Sequence, residues 1–517
     1  MKKFLLIPIF LLVCCALWAQ PSEKTPYLLQ VNADFDAKAF ENAGGVIRSR
    51  CGDILSTWVP DAQSPKLKQQ AGVVAAAPAR RIQPLLNKAT RSAGVNDVWQ
   101  GLDMEQGFTG KDVLIGVTDW GFDYTHPAFY DTNMLEYRVL RAWDQFRKAG
   151  PAPQGFTYGT ELRGKEQLLL AQCDTDNFYH RHYHATHVAS IAAGGGAGTQ
   201  YRGVAPDAQL LFATFLVDEA AVLDAFNWMK HVAEEEGKRL VINMSWGLYY
   251  MDNLDGTGLL AQAMQTLADQ GIVFVSSAGN NGDVNFHVSH AFAGEADTVK
   301  TQIVFDTYGV ENYWGEALEM TTSPRDSFSF SLALYDSPFH YLQQTPFYST
   351  SAGDFQLDTF MVYENDTVFY RVAIEKTNPY NERPEVQLRI KQPNGNYKFA
   401  LWVAAETGEF HAWNVAELTT GVGNCGYAFS GPFGDWLTGD ALYGLGMPAN
   451  ANACITVASH VTGNYSTLHG VWSNSTISSF SSYGPTLDGR LKPEISGPGS
   501  NIISAINSFS DQFTGNY

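Results

Sequence analysis

DVLIGVTDWGFDYTHPAF, residues 112 to 129, begins as a β-branched apolar run, Val113 to Val117, and closes it with an acid, Asp119. Two further segments repeat the device in order along the chain. HATHVASIAAG, 184 to 194, opens a small-residue helical stretch with His184, and FVSSAGNNG, 274 to 282, closes the apolar run Ile272 to Val275 with Asn280. An acid, a base and an amide donor are the groups that surround a serine nucleophile. Taken singly each is weak, since Asp after a strand most often begins a turn or caps a helix.

Around these segments the pattern is one of apolar strands alternating with helices. VLIGVTD is followed by LLFATFLV at 210 to 217, the helical AAVLDAFNWMKHVAEEEG, LVINMSWG at 240 to 247, the helical GLLAQAMQTLADQG, and IVFVSSAGN. Strands apolar throughout imply a parallel sheet covered by helices on both faces, with sites at the carboxyl ends of its strands. Asp119, Ser245 to Gly247 and Asn280 all fall there.

The expected fold class is α/β, a three-layer parallel-sheet domain spread over residues 92–282 and 445–517. Residues 283–444 interrupt it with Ser-, Thr- and aromatic-rich alternation, which reads as an inserted antiparallel β-sandwich, with Asn394 and Gly395 as a hairpin turn. Residues 20–91, with YLLQV, GGVIRS and ILSTWVP separated by helical patches, read as a small α+β unit ending in a basic, accessible linker. Residues 1–19, MKKFLLIPIFLLVCCALWA, have the charged start, apolar centre and small final residue of a secretory signal. The chain is therefore expected outside the cytoplasm, extracellular or periplasmic or held at the cell surface. No other stretch is apolar enough to span a membrane.

At 517 residues and 45% hydrophobic, the chain can bury more than one core. Its net charge of -19, without a basic stripe, argues against nucleic acid as a partner. Cys51, Cys173, Cys425 and Cys454 remain after the signal, without short spacing; a bridge between Cys425 and Cys454 is compatible with export, and so are buried thiols. His180, His182, His184 and His187 invite a metal reading, but no Cys or carboxylate completes a ligand pattern, so no metal residue is named and a metal-dependent hydrolase lacks its partners.

The joint occurrence and order of these segments carries a resemblance. TDWG, HATHVAS, NMSWG, SSAGNNG, GVAPDAQL, GMPAN and FSSYGP with LKPEISGPGSNIISA resemble the landmarks of subtilisin-like serine peptidases, the subtilase family. The resemblance implies that Asp119 orients the imidazole and His184 moves the proton. It further implies that Asn280 donates to the oxyanion and that Ser245, Trp246 and Gly247 line the substrate backbone. It also implies a protein or peptide substrate, a region before Thr90 acting as the chain's own inhibitory propeptide, and calcium as a cofactor known only from the family, for which no ligand loop is identified.

Three departures stand out. Trp120 replaces a small hydroxyl residue and Ala185 a glycine, each adding bulk near the imidazole. The family's GTSxAxP helix, which carries the nucleophile, is not reached before Tyr517. The expectation is a secreted endopeptidase precursor whose Ser lies beyond this chain, inactive as written. The alternative is a non-catalytic secreted binding or inhibitory protein on the same fold.

Overall fold

The computed structural model describes residues 24–61, 63–78, 86–247, 249, 254–305, 313–393, 397–418, 421–462, 465–466, 471–472 and 476–511. The signal-like residues 1–19 lie outside them. Two compact units divide the chain after Pro84.

The first unit is a four-stranded antiparallel sheet of β1 (Lys24–Val31), β2 (Val46–Cys51), β3 (Ile54–Pro60) and β4 (Val73–Pro78), in the order β2-β3-β1-β4. Alternation sends Leu29, Val31, Leu55, Thr57 and Val59 to one face, where they are at most 2% exposed. Phe40, on a helix capped by the Asp36 side chain, closes that core.

The second unit is built on an eight-stranded sheet. Its first six strands are β5 (Val113–Thr118), β6 (Val139–Asp144), β7 (Thr160–Arg163), β8 (Gln209–Thr214), β9 (Arg239–Met244) and β10 (Val273–Ser277). The insert then intervenes before β22 (Cys454–Val461) and β25 (Ile495–Ser500) complete the sheet, with a small hairpin of β23 (Tyr465–Ser466) and β24 (Val471–Trp472) between those two. The order is β25-β22-β10-β9-β5-β8-β6-β7, parallel except for β7.

Period-two alternation divides each central strand between two cores, which is why the strands read as apolar throughout. Leu114, Leu211 and Ala213 face the helices Glu219–Glu236 and Leu259–Ala268. Val117, Leu210 and Phe212 face the helix His184–Ala193. That helix buries Ala185, Ala189 and Ala193 completely, so its small side chains set a close approach to the sheet. Cys454 sits in the first of these cores, where burial pushes its thiol up to about 12. The bridge to Cys425 is not formed, and Cys51 is exposed instead of buried.

Between β10 and β22 the chain makes an eleven-stranded antiparallel sheet, from β11 (His287–Ile303) to β21 (Phe429–Ser430). Its spine is the 21-residue β19 (Lys398–Leu418), which pairs with β11 on one side. On the other side it pairs with β13 (Ser329–Tyr335) through its first half and with β12 (Tyr313–Thr321) through its second. From β12 the sheet continues through β18 (Glu385–Lys391), β17 (Asp366–Glu375) and β16 (Phe355–Tyr363). Short strands extend it: β14 (Tyr341–Gln344) and β15 (Tyr348–Ser349) beside β13, and β20 (Gly421–Gly426) beside β19. The two branches share one core, in which Leu332 and Phe330 meet Leu318, Val372 and Leu388.

Asn394 and Gly395 lie outside the described residues, but the strands flanking them are not neighbours: β12 runs between β18 and β19. Placing β12, with Ala317 and Leu318 fully buried, at the centre overrides the local turn signal. The insert begins and ends at one point. His287 and Asp440 exchange backbone hydrogen bonds of 3.0 and 2.7 Å, and Nδ1 of His287 lies 2.8 Å from the Asp440 carboxylate.

Candidate active site

Asp119 follows directly on β5 and is fully buried. Its carboxylate accepts the backbone N–H of Trp120 at 2.7 Å, and Nδ1 of His184 lies 2.8 Å from each of its oxygens. A carboxylate can only accept, so Nδ1 carries the proton and Nε2 is left as the acceptor of the neutral ring. The charge of Asp119 raises the pKa of His184 above its ordinary value, with burial opposing it.

His184 is the first residue of its helix, where backbone N–H groups lack intrahelical partners. The loop after Asp119 supplies them: Ala185 N–H donates to Trp120 O at 2.9 Å and Thr186 N–H to Gly121 O at 3.2 Å. The Thr186 hydroxyl donates to Gly121 O as well, at 2.7 Å. Acid and base are thus clamped through their own backbones. Gly121 has φ +92°, and a Cβ there would lie 2.1 Å from His182 O, so only glycine fits.

Behind this loop stands a carboxyl group that sequence reading missed. Asp174 accepts the N–H of Gly121 at 2.8 Å and the hydroxyl of Thr214 at 2.9 Å. Burial pushes its pKa up to about 7; the Gly121 bond opposes the rise and the nearby Asp144 adds to it.

A pocket of about 190 Å³ opens beside His184 and brings Ser245, Trp246, Gly247 and Asn280 together with it. Ser245 directly follows β9, and Asn280 is three residues beyond β10. One wall is a run of rings: Tyr179 on Trp120 at 4.7 Å, Trp120 on Phe215 at 4.6 Å, and Phe215 on Trp246 at 5.1 Å between centroids. The Trp120 indole also donates to Phe215 O at 3.0 Å, so its bulk is taken up by the wall. That of Ala185 goes into the helix core. Phe215 was legible by the strand-end rule, since it immediately follows β8. Tyr179 lies in a loop without periodic signal.

The other histidines do not converge. His182 Nδ1 accepts the backbone N–H of His184 at 3.0 Å, and His180 is exposed. Burial, followed by the neighbouring His184, lowers the pKa of both His182 and His187. Among the described residues no three His, Cys, Asp or Glu side chains are grouped to hold a metal ion.

The sequence model of the Subtilase family matches residues 110–304 and 417–517, more than half of the chain. The chain belongs to the subtilase family. Between its two matched parts the family model skips residues 305–416 of this subtilase, which fall inside the β insert. The chain is 23% identical over 494 residues to the PI-type proteinase of Lactococcus lactis subsp. cremoris, covering 88% of this chain and 24% of that protein. It is 24% identical over 442 residues to the C5a peptidase of Streptococcus pyogenes, covering 82% and 35%. It thus spans about a third or less of the length of the curated relatives it matches. A solved structure of the Clostridium perfringens CspB protease shares the fold, with a TM-score of 0.57, 20% identity and 81% of each chain covered. Among the described residues no helix is long and apolar enough to cross a membrane.

Proposed function

We propose that this subtilase is the precursor of a secreted serine endopeptidase that cleaves proteins or peptides bound in extended form. The observation that carries the reading is the double 2.8 Å approach of His184 Nδ1 to the buried Asp119 carboxylate, at the edge of a pocket that also holds Asn280. In this reading Ser245 to Gly247 pair with the substrate backbone as an added strand. His184 Nε2 takes the proton of a serine hydroxyl as its oxygen attacks the scissile carbonyl, and Asn280 donates its side-chain amide to the oxygen that becomes negative. His184 then returns the proton to the leaving amine, and water releases the acyl group by the reverse steps. Loss of such an amide donor costs about 10²- to 10³-fold in turnover, a figure that comes from subtilisin itself.

The nucleophilic serine is assigned to polypeptide beyond Tyr517. Supporting this, the segment before it is stitched to the site: Ser504 Oγ donates to His187 O, Asn507 Nδ2 to His182 O, and Ser508 N–H to Asp123, at 3.0, 2.9 and 3.0 Å. A polypeptide continuing from there starts beside the base. The signal at residues 1–19, the α+β unit as an inhibitory propeptide and residues 283–444 as a separate domain belong to the same reading.

The test is to express residues 20–517 with and without the downstream coding sequence. Each product is then treated with a fluorophosphonate probe and a fluorogenic extended peptide. The reading expects labelling and cleavage only in the longer product, both abolished by His184→Ala. A longer product that is folded but neither labels nor cleaves would sink it.

A further inference from the structure

An exposed amide that must donate to a developing charge is useful only if its loop is held to within a few tenths of an ångström. The loop carrying Asn280 is held on both sides of that residue. Ala278 N–H donates to Val457 O at 3.0 Å, Gly279 O accepts Ser482 N–H at 3.0 Å, and Gly282 N–H donates to Phe480 O at 2.9 Å. Gly279 has φ +109°, and a Cβ there would lie 2.5 Å from the Tyr249 hydroxyl and 2.9 Å from Ser482 Oγ.

Asn281 is 4% exposed and makes a different kind of tie. Its N–H donates to Ser482 Oγ at 2.9 Å, while its side-chain Oδ1 accepts the N–H of Gly426, a residue of the β insert, at 3.0 Å. Gly426 reaches it only because it lacks a side chain, since a Cβ would meet the ring of buried Phe286 at 2.6 Å. Phe286 packs with Tyr249, Trp413 and Val415 in a cluster that joins the insert to the peptidase fold.

The geometry points to Asn281 as a positioning residue for the oxyanion site, with the β insert as its anchor. This rests on the peptidase reading and gives the insert a part in it. Asn281 touches no reacting atom; it fixes its neighbour.

The experiment is a double-mutant cycle in the active full-length product. Asn281→Ala is expected to lower kcat by about tenfold or more with KM within about twofold, because transition-state and not ground-state contacts suffer. Affinity for a peptide aldehyde, which forms a tetrahedral adduct, should fall in proportion. In an Asn280→Ala background the same change should cost less than about twofold, since the group it positions is gone.

Additive losses in the double variant or a change confined to KM would each overturn the proposal. Should Asn281→Ala not fold, Asn281→Ser, too short to reach Gly426, is read in the same way. A folded parent without turnover would instead strike the peptidase reading, and the two failures are told apart by that parent.

Discussion

The indole N–H of Trp246 donates to the hydroxyl of Thr118 across 3.0 Å, and both residues are buried. Thr118 ends the strand that delivers Asp119, and Trp246 lies two residues past the strand that leads into the Ser245–Gly247 segment. Trp246→Phe keeps a ring against Phe215 and deletes the donor. We expect a loss of about 1–3 kcal/mol in stability and a KM that rises more than kcat falls. Thermal melts and steady-state kinetics test this, and an unchanged Tm would refute it.

In the peptidase reading the Asp119–His184 pair sets activity and stability against each other along the pH axis. The pKa of His184 is raised above 6.5, chiefly by Asp119. The pair's contribution to stability is therefore complete below that value and fades as pH rises through the folded pKa. In the peptidase reading catalysis needs the neutral ring, so kcat/KM of the longer product should climb over the same interval with a midpoint above 6.5. Asp119→Asn should lower that midpoint and reduce kcat about 10⁴-fold. A pH–rate profile whose midpoint ignores the substitution would contradict this.

For Asp174 the sign is reversed. An acid whose folded pKa is pushed up to about 7 from 3.8 keeps its proton in the native state after the unfolded chain has lost it, so stability falls between those two pH values. Asp174→Asn retains an oxygen to accept Gly121 and Thr214 and removes the titration. The variant should gain in Tm relative to the parent as pH is raised from about 4 to about 7. Parallel Tm curves over that range would exclude the raised pKa.

Arg138 ties separate stretches of chain together with one guanidinium. It donates to the carbonyls of Ala208 and Ala193 at 2.6 Å each, to Tyr130 at 3.1 Å and to Ala128 at 3.3 Å, while 4% exposed. Ala193 ends the helix that begins at His184, so the tie bears on the base as well. Arg138→Met fills the space but takes the guanidinium from the carbonyls of Ala208, Ala193 and Tyr130, while Ala128 O keeps the N–H of Gly195 at 2.7 Å. The expected loss is at least about 3 kcal/mol by denaturant unfolding, with no change in m-value.

Much of this was legible because its physics is local. Val113 to Val117 announce a strand buried on both faces, and Asp119, Ser245 and Asn280 stand just beyond strand ends, the place the parallel-sheet pattern points to. What was missed depends on contacts between distant segments. Asp174 and Tyr179 sit in a loop with no period, and their importance exists only where Gly121 and Trp120 come to meet them. The separation of β18 from β19 by β12 was likewise invisible, since Tyr313–Thr321 precedes both by dozens of residues and nothing in the Asn394–Gly395 turn signal refers to it.

His287 and Asp440, bonded to each other at the base of the insert, close a circuit. Seen from the parallel sheet, the insert leaves and returns at a single point, so β10 and β22 stay paired across it whatever length of chain lies between. The junction is a socket with a condition attached: a different module plugged in there would have to supply the N–H that Gly426 gives to Asn281.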